Sequence, residues 1–288
     1  MKLVFLGTPE VAARVLRAIL AAGHDVVGVV TGPDKRRGRG AGLSPSPVAE
    51  VALEHRLRLF HKPEEALGLE AALGVVVAYG RLVRPEVLAE LPMVNLHFSL
   101  LPRWRGAAPV ERAIMAGDPV TGACLMKLEE GLDTGPVYRC AEVTVGPDET
   151  AAQLRGRLGE LGTGMLLRAL AEGLPEPRAQ VGEPTYADKV QVDELRLDFG
   201  LPAEHNARLV RAGRAWTTLR GRRLIVHRAA AAGPGGAPLA PGQLEGTMVG
   251  CRPGALELLE VQPEGRVAMP AQDWARGAHL GADERLGL

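Results

Sequence analysis

Residues 1–30, MKLVFLGTPEVAARVLRAILAAGHDVVGVV, predict a strand, a helix and a second strand in succession. The apolar run at residues 2–6 is typical of a buried strand, and apolar residues then recur at helical spacing. We expect Thr8 to cap this helix, with Pro9 at its first position. Asp25–Val30 supplies the second strand. A strand, helix and strand in this order form the repeating unit of a parallel sheet covered by helices.

The rest of the chain predicts two domains. Further strands of the same sheet are indicated by apolar runs at residues 74–78, 93–99, 121–128 and 137–145. A long helix, capped by Asp148, completes a Rossmann-like, mostly parallel α/β catalytic domain over residues 1–184. A proline-rich linker at 185–203 leads to residues 204–288, whose short apolar runs between Gly/Pro turns predict a small β-barrel of the OB type. Within it, we expect residues 229–242 to be a low-complexity loop.

Composition excludes several classes of protein. Apolar residues make up 46% of the 288, which is enough for a packed core, and no apolar run is long enough to span a membrane. The N-terminus predicts a strand rather than a signal peptide, so we expect a cytoplasmic protein. Cys124, Cys140 and Cys251 are odd in number and widely spaced, and we expect neither a disulfide framework nor a CxxC metal site.

One strand carries the polar residues that point to chemistry. In residues 94–102, VNLHFSLLP, the period of two places Asn95, His97 and Ser99 on one face. Asparagine occurs only twice in the chain and serine only three times. The strand runs out at Pro102, so these groups lie near the carboxyl end of the strand, where open α/β sheets bind their ligands.

Three enzymatic interpretations of this strand compete. A metal site would need more ligands at suitable spacing, and a serine hydrolase would place Ser99 in a GxSxG turn; neither pattern occurs. A dinucleotide fingerprint is also missing from the first strand–helix turn. Acyl-type transfer without a covalent intermediate remains, because an imidazole and a carboxamide can both donate hydrogen bonds to an oxyanion. A polar strand end satisfied by loop backbone is the non-catalytic alternative.

Such a reaction requires a carboxylate to orient the imidazole. The candidate is Asp133, in the glycine-flanked stretch EGLDTGP at residues 130–136, which lies between two predicted strands. There, the backbone can approach a substrate closely. An ordinary turn explains this composition equally well.

Several segments together resemble the folate-dependent formyltransferases, in particular those members that act on initiator methionyl-tRNA. The central segments are Asn95-x-His97, Ser99-Leu100-Leu101-Pro102, Arg105-Gly106-Ala107-Ala108-Pro109 and Leu132-Asp133-Thr134-Gly135. Matching segments outside them are Thr8-Pro9-Glu10, the stretch 33–47, Thr185-Tyr186-Ala187 and the stretch 258–265. Their order and spacing agree over nearly the whole chain.

The resemblance implies a catalytic set of Asn95, His97 and Asp133, and a tetrahydrofolate pocket lined by Ser99-Leu100-Leu101-Pro102. The formyl group of 10-formyltetrahydrofolate would pass to the α-amino group of methionine on initiator methionyl-tRNA. His97 and Asn95 would stabilise the oxyanion, while Asp133 holds His97 and helps to move the amine proton. No metal is expected, because the formyl donor is already activated, and we expect a monomer.

Two segments depart from the family pattern. Phe98 stands where the family usually has a small residue, but its side chain should point away from Asn95 and His97, so we expect altered packing and unaltered chemistry. Arg214-Ala215-Trp216 replaces a segment that is typically rich in proline.

Charge is locally concentrated although 34 basic residues balance 34 acidic ones. The stretch 33–42 carries Lys35, Arg36, Arg37 and Arg39 against one acid, and the resemblance assigns this loop to the tRNA acceptor arm. The stretch 204–228 carries seven arginines against one acid, and we expect the two patches to contact tRNA phosphates. The alternatives are a formyltransferase acting on glycinamide ribonucleotide or an amino sugar, a formyltetrahydrofolate-hydrolysing enzyme, and a non-catalytic RNA-binding protein.

Overall fold

The computed structural model describes residues 1–36, 42–232, 239–281 and 283–288, and of Lys35 the backbone. In these ranges the strands are β1 Lys2–Gly7, β2 Asp25–Val30, β3 Lys35–Arg36, β4 Leu43–Ser44, β5 Leu59–Phe60, β6 Leu73–Val77, β7 Met93–His97, β8 Arg105–Gly106, β9 Val120–Lys127, β10 Val137–Thr144, β11 Tyr186–Ala187, β12 Trp216–Leu219, β13 Arg222–Ala232, β14 Leu244–Glu245, β15 Met248–Gly250, β16 Ala255–Pro263 and β17 Met269–Pro270. The helices are α1 Glu10–Ala21, α2 Pro47–Glu54, α3 Pro85–Glu90, α4 Pro109–Ala116, α5 Ala151–Glu172, α6 Ala203–Ala212 and α7 Ala271–Gly277, with 3₁₀ turns at Pro63–Ala66 and Asp193–Leu195.

The chain divides into two compact units. The first unit consists of Met1–Pro109, Val120–Thr144 and Arg155–Asp188, and the second of Val110–Pro119, Val145–Leu154 and Lys189–Leu288. No helix within the described ranges is both long and apolar enough to cross a membrane.

The first unit is built on the predicted, mostly parallel sheet. Its seven strands lie in the order β10-β9-β7-β6-β1-β2-β5. The five strands from β7 to β5 pair in parallel, whereas β9 and β10 are antiparallel additions at one edge. Strands β6 and β7 are buried along their whole length, and β1 is buried from Leu3 onwards, as a sheet covered on both faces requires. The Rossmann-like prediction is therefore confirmed.

Two helix starts differ from the sequence prediction. Helix α1 begins at Glu10, and Pro9 rather than Thr8 is its N-cap, because the carbonyl of Pro9 accepts the first helical hydrogen bond. Helix α5 begins at Ala151, and its cap is Thr150 rather than Asp148. The Thr150 hydroxyl accepts from the Gln153 N–H at 3.3 Å, while the Gln153 side chain accepts from the Thr150 N–H at 2.9 Å. This reciprocal pair is a capping box.

The prediction that the cysteines form no disulfide framework is wrong for one pair. Strands β9 and β10 run antiparallel, and their register places Cys124 directly opposite Cys140. Their Cα atoms are 4.1 Å apart and the two residues form a disulfide. Spacing along the chain cannot reveal such a pair, since the register of the hairpin determines it. Cys251 stays a buried free thiol, and burial raises its pKa to about 11.

The second unit is a curled antiparallel sheet, as predicted for a small barrel. Its strands lie in the order β12-β13-β16-β15-β14, and β17 pairs with β16. The C-terminal segment then connects the two edges, since Leu286 bridges to Leu219 at the end of β12 and Arg285 bridges to Gln243 beside β14. One expectation fails: residues 229–232 continue strand β13 instead of forming a loop, while residues 233–238 lie outside the described ranges.

Asn206 connects helix α6 to the preceding segment of the second unit. Its side chain is fully buried. The side-chain oxygen accepts from the Asp198 N–H at 3.0 Å, and the side-chain nitrogen donates to the carbonyls of Asp198 and Pro202. The chain thus uses one of its two asparagines to tie backbone groups of the preceding segment to helix α6.

We predict that Asn206→Ala destabilises the protein by about 1–2 kcal/mol, because it removes a fully buried side chain and leaves the N–H and carbonyl of Asp198 without these partners. The measurement is the thermal unfolding midpoint, followed by circular dichroism. The exposed Gln191 serves as control, and Gln191→Ala should change stability by less than about 0.5 kcal/mol. Equal midpoints for the two variants would contradict this role.

Candidate active site

The candidate residues meet at the carboxyl end of β7, inside the first unit. Asn95 and His97 alternate on this strand, where they pair with Met126 and Cys124 of β9. Both side chains are nearly buried, with 9% and 5% of the residue exposed. The buried position limits competition from water, which strengthens the hydrogen bonds and charges of the site.

The Asp133 carboxylate is the centre of the site. One oxygen, Oδ1, accepts from the Asn95 side-chain nitrogen at 3.2 Å. The other, Oδ2, accepts from the backbone N–H of Gly106 at 2.8 Å and lies 3.5 Å from Nδ1 of His97. The structure therefore brings all three predicted catalytic residues together around one carboxylate.

The loop that presents Asp133 is tightly folded. Asp133 adopts a φ of +50°, a conformation in which few residues other than glycine are found. Gly135 lies so close to the carbonyl of Lys127 that a Cβ there would be 2.0 Å from the oxygen. The conformation of this turn therefore directs the Asp133 carboxylate towards Asn95 and His97.

His97 faces a hydrogen-bond acceptor at each ring nitrogen. Its Nε2 lies 2.9 Å from the carbonyl oxygen of Trp104, and a carbonyl can only accept, so Nε2 carries a proton. Nδ1 faces Asp133. A ring protonated at both nitrogens would therefore donate on both sides and form an ion pair with the carboxylate.

The predicted folate-binding residues continue from β7 into the loop before β8. Ser99 is fully buried and donates its hydroxyl hydrogen bond to the carbonyl of Arg103 at 2.6 Å, so the hydroxyl supports the loop itself. Leu100, Leu101 and Pro102 are half-buried. Leu100 packs into the space beside Gly122, where a Cβ would lie 2.5 Å from its Cδ2.

Two further features of the described residues bear on the site. Among the described residues, no three His, Cys, Asp or Glu side chains come together as a metal site would require.

Phe98 is buried, with 7% exposed, and the contacts of Asn95 and His97 with Asp133 form with this residue in place.

The first basic stretch begins as a short hairpin. Lys35–Arg36 pairs with Leu43–Ser44 in antiparallel fashion, and the Arg36 side chain is exposed. Arg37 and Arg39 lie outside the described residues. The hairpin follows β2 and so starts from the carboxyl edge of the sheet, the same edge on which β7 ends.

The second basic stretch serves two purposes. Three of its arginines are engaged in structure: Arg208 donates to the carbonyl of Met115, Arg211 to those of Gly146 and Glu149, and Arg220 forms an ion pair with Glu284. Arg220 is exposed although it is paired, and the other exposed members are Arg214, Arg222, Arg223 and Arg228. The patch available to a ligand is therefore smaller than the sequence count suggests.

The departure at Arg214-Ala215-Trp216 has a structural explanation. Ala215 is fully buried, and the Trp216 indole donates to the carbonyl of Val192 at 2.8 Å. The guanidinium groups of Arg223 and Arg196 lie 4.3 Å and 5.5 Å from the Trp216 ring. This stacking orients two cations on the surface of the second unit.

Sequence reasoning did not identify three groups that complete the site. They are the carbonyl of Trp104, the N–H of Gly106 and the side chain of Gln180, which donates to the carbonyls of Asp133 and Gly135. The first two are backbone groups, which residue types do not reveal. Gln180 lies in a proline-containing stretch without periodicity, and only its being one of few amides in the chain could have indicated it.

Comparison with protein families gives two matches. Residues 1–170 match the model described as formyl transferase, and residues 189–279 match that of the formyl transferase C-terminal domain. Together they cover both structural units over most of their length.

Two curated relatives match the chain end to end. A methionyl-tRNA formyltransferase of Thermobifida fusca is 45% identical over 312 residues, covering 100% of this chain and 99% of the relative. A methionyl-tRNA formyltransferase of Thermus thermophilus is 46% identical over 306 residues, with the same coverage.

Solved structures share the fold at low identity. A methionyl-tRNA formyltransferase from Clostridium thermocellum gives a TM-score of 0.59 at 16% identity, over 80% of this chain and 93% of that chain. WlaRD, a sugar 3N-formyl transferase crystallised with dTDP and 5-N-formyl-THF, gives 0.69 at 14% identity, over 93% and 99%. The fold alone therefore does not separate a tRNA substrate from a sugar substrate.

Proposed function

The chain belongs to the formyl transferase family, and we propose that it transfers the formyl group of 10-formyltetrahydrofolate to the α-amino group of methionine on initiator methionyl-tRNA, for translation initiation. The observation that carries the catalytic assignment is the Asp133 carboxylate, held by Asn95 and Gly106 and facing His97. The substrate assignment rests on full-length identity of 45–46% with relatives named for that reaction.

The chemistry is a displacement at the formyl carbon. The amine nitrogen bonds to that carbon, the bond from the carbon to N10 of the folate breaks, and one proton passes from the amine to N10. An already activated formyl group is what the co-substrate supplies. The protein has to stabilise negative charge on the formyl oxygen and provide a path for the proton.

The buried side chains suit these two tasks. One N–H of the Asn95 amide is used on Asp133, and the amide has a second N–H that can donate to the formyl oxygen. The Asp133 carboxylate accepts from Asn95 and Gly106, and it has further lone pairs for the amine proton, directly or through one water.

His97 has to change partner during the reaction. Its Nε2–H is held by the carbonyl of Trp104, so donation to the formyl oxygen requires exchange of that carbonyl for the substrate. The loop from Ser99 to Trp104 leads directly from the predicted folate-binding residues to this carbonyl. Binding of the folate against Leu100, Leu101 and Pro102 is therefore well placed to trigger the exchange.

Binding of the tRNA is assigned to positive charge on both parts of the chain. Lys35, Arg36, Arg37 and Arg39 would contact phosphates of the acceptor arm from the catalytic domain, residues 1–184. Beyond the linker at 185–203, the exposed arginines of the domain at 204–288 would contact the backbone elsewhere on the tRNA. We further propose that the protein is a cytoplasmic monomer.

The decisive experiment supplies 10-formyltetrahydrofolate together with one acceptor at a time. We expect formyl transfer to charged initiator tRNA, and no transfer to glycinamide ribonucleotide or to an amino-sugar nucleotide. Thin-layer separation of the radiolabelled products measures each reaction. Preferential formylation of either small acceptor would replace the proposed substrate, and tRNA binding without transfer to any acceptor would indicate a non-catalytic RNA-binding protein.

Substitution of His97 or of Asp133 should slow turnover strongly without unfolding the protein. We predict that His97→Ala and Asp133→Asn each lower kcat by about 10³-fold, through loss of oxyanion stabilisation and of the proton acceptor. Steady-state kinetics and circular dichroism provide the readouts. Asp25→Asn, an exposed site at the start of β2, is the matched control. Near-normal rates in both site variants would remove these residues from the mechanism.

The basic hairpin should act through phosphate contacts. We predict that Arg39→Ala weakens binding of initiator tRNA and reduces the slope of log K against log salt by about 1, the loss of one phosphate contact. Arg168→Ala removes an equal charge from an exposed position on α5 and should leave the slope unchanged. A filter-binding titration at several salt concentrations measures both. The same slope for Arg39→Ala and the wild-type protein would exclude the contact.

A further inference from the structure

The segment Arg178–Ala187 follows α5 and contacts both loops that form the active site. At its beginning, Arg178 exchanges two backbone hydrogen bonds with Val137, just after the Asp133 loop. At its end, Thr185-Tyr186-Ala187 pairs with the loop after β7: the Thr185 hydroxyl accepts from the Trp104 N–H at 2.9 Å, and the Ala187 carbonyl accepts from the Ala107 N–H. The sequence predicted the end of the catalytic domain at residue 184 and a linker from residue 185.

Gln180, in the middle of this segment, joins the two loops through one side chain. Its Nε2 donates to the carbonyl of Asp133 and to that of Gly135, each at 2.8 Å. Its Oε1 accepts from Nε and Nη2 of Arg105, at 3.1 Å and 2.7 Å. Both N–H donors and the acceptor oxygen of the amide are therefore in use.

These bonds hold together the two loop segments, at Arg105 and at Asp133, between which the Asp133 carboxylate lies. The residue before Gly106 is Arg105, and the Gly106 N–H donates to Oδ2 of Asp133. On the other side, Gln180 holds the carbonyl of Asp133 itself, in a turn whose φ of +50° is costly for a residue with a side chain. Gln180 thus connects the donor and the acceptor of the Gly106–Asp133 hydrogen bond.

The residue type fits this geometry. An amide presents two N–H donors and one acceptor oxygen at the same end, whereas a carboxylate offers only acceptors and an ammonium only donors. A glutamate at position 180 could still accept from Arg105, but its second oxygen would face the carbonyls of Asp133 and Gly135. Two acceptors facing each other repel, so the contact with the Asp133 loop would be lost.

We propose that Gln180 is a positioning residue for formyl transfer, which sets the direction of the Asp133 carboxylate by locking its loop to Arg105. It lies outside the catalytic set, and its effect passes through Asp133. The inference rests on the proposed function, since it assigns a role within that reaction.

The first test compares Gln180→Ala and Gln180→Glu with the wild-type protein. Both variants should lower kcat by about 100-fold, the effect of misplacing a reacting group by about 1 Å, while KM for each substrate stays within about threefold. Val181→Ala is the control from the same segment, because that side chain is 88% exposed. Wild-type kcat in Gln180→Glu would overturn the proposal, because this variant lacks the donors to the Asp133 loop.

The second test repeats Gln180→Ala in an Asp133→Asn protein and measures single-turnover rates. If Gln180 acts through Asp133, the second substitution should lower the residual rate less than about threefold. An equal loss in both backgrounds would show an effect independent of the carboxylate and would overturn the proposal. Wild-type protein that transfers no formyl group would instead contradict the proposed function, so the two failures are distinguishable. Thermal melting of every variant identifies any loss that stems from unfolding.

Discussion

The hydrogen bond from the Gly106 N–H to the Asp133 carboxylate is the contact around which the site is arranged. It joins the loop after β7 to the loop between β9 and β10. Oδ2 of Asp133 accepts this hydrogen bond and also faces His97, while Oδ1 accepts from Asn95. Because β7 and β9 are antiparallel, Lys127 at the end of β9 lies opposite Val94 near the start of β7. The loop after β9 therefore has to fold back along β7 before Asp133 reaches Asn95 and His97, and the Gly106 N–H helps to hold the carboxylate there.

The sequence predicted much of this arrangement because strands are strongly patterned. Period-two alternation correctly placed Asn95 and His97 at the end of a buried strand, and the glycines around Asp133 indicated a tight turn. What it could not predict is the part that depends on register and backbone. The disulfide between Cys124 and Cys140 follows from hairpin register, and the contacts of His97 and Asp133 with Trp104 and Gly106 use main-chain groups that every residue possesses.

The basic stretches illustrate a related limit of composition. Seven arginines between 204 and 228 predicted one continuous patch, yet Arg208, Arg211 and Arg220 are engaged by carbonyls or by Glu284. Arginine can serve either purpose because its five N–H donors suit backbone carbonyls as well as phosphates. Burial lowers the pKa of Arg211, a further sign of a side chain enclosed by protein. The exposed arginines around Trp216 are the ones whose N–H donors remain available to a nucleic acid.

The stretch that begins at Arg178 shows why low periodicity is weak evidence for a linker. Helices and strands can be predicted because apolar side chains recur in them with a fixed period. A segment that contacts two loops without forming a regular element has no such period. Its contacts differ from residue to residue: Gln180 bonds two carbonyls and a guanidinium, while the Thr185 hydroxyl accepts from one N–H. Asp133 lies on one loop and its donor Gly106 follows another, so a third segment that contacts both can fix the distance between them. Here that segment lies just before the boundary between the two units, at the point where the sequence pattern is least informative.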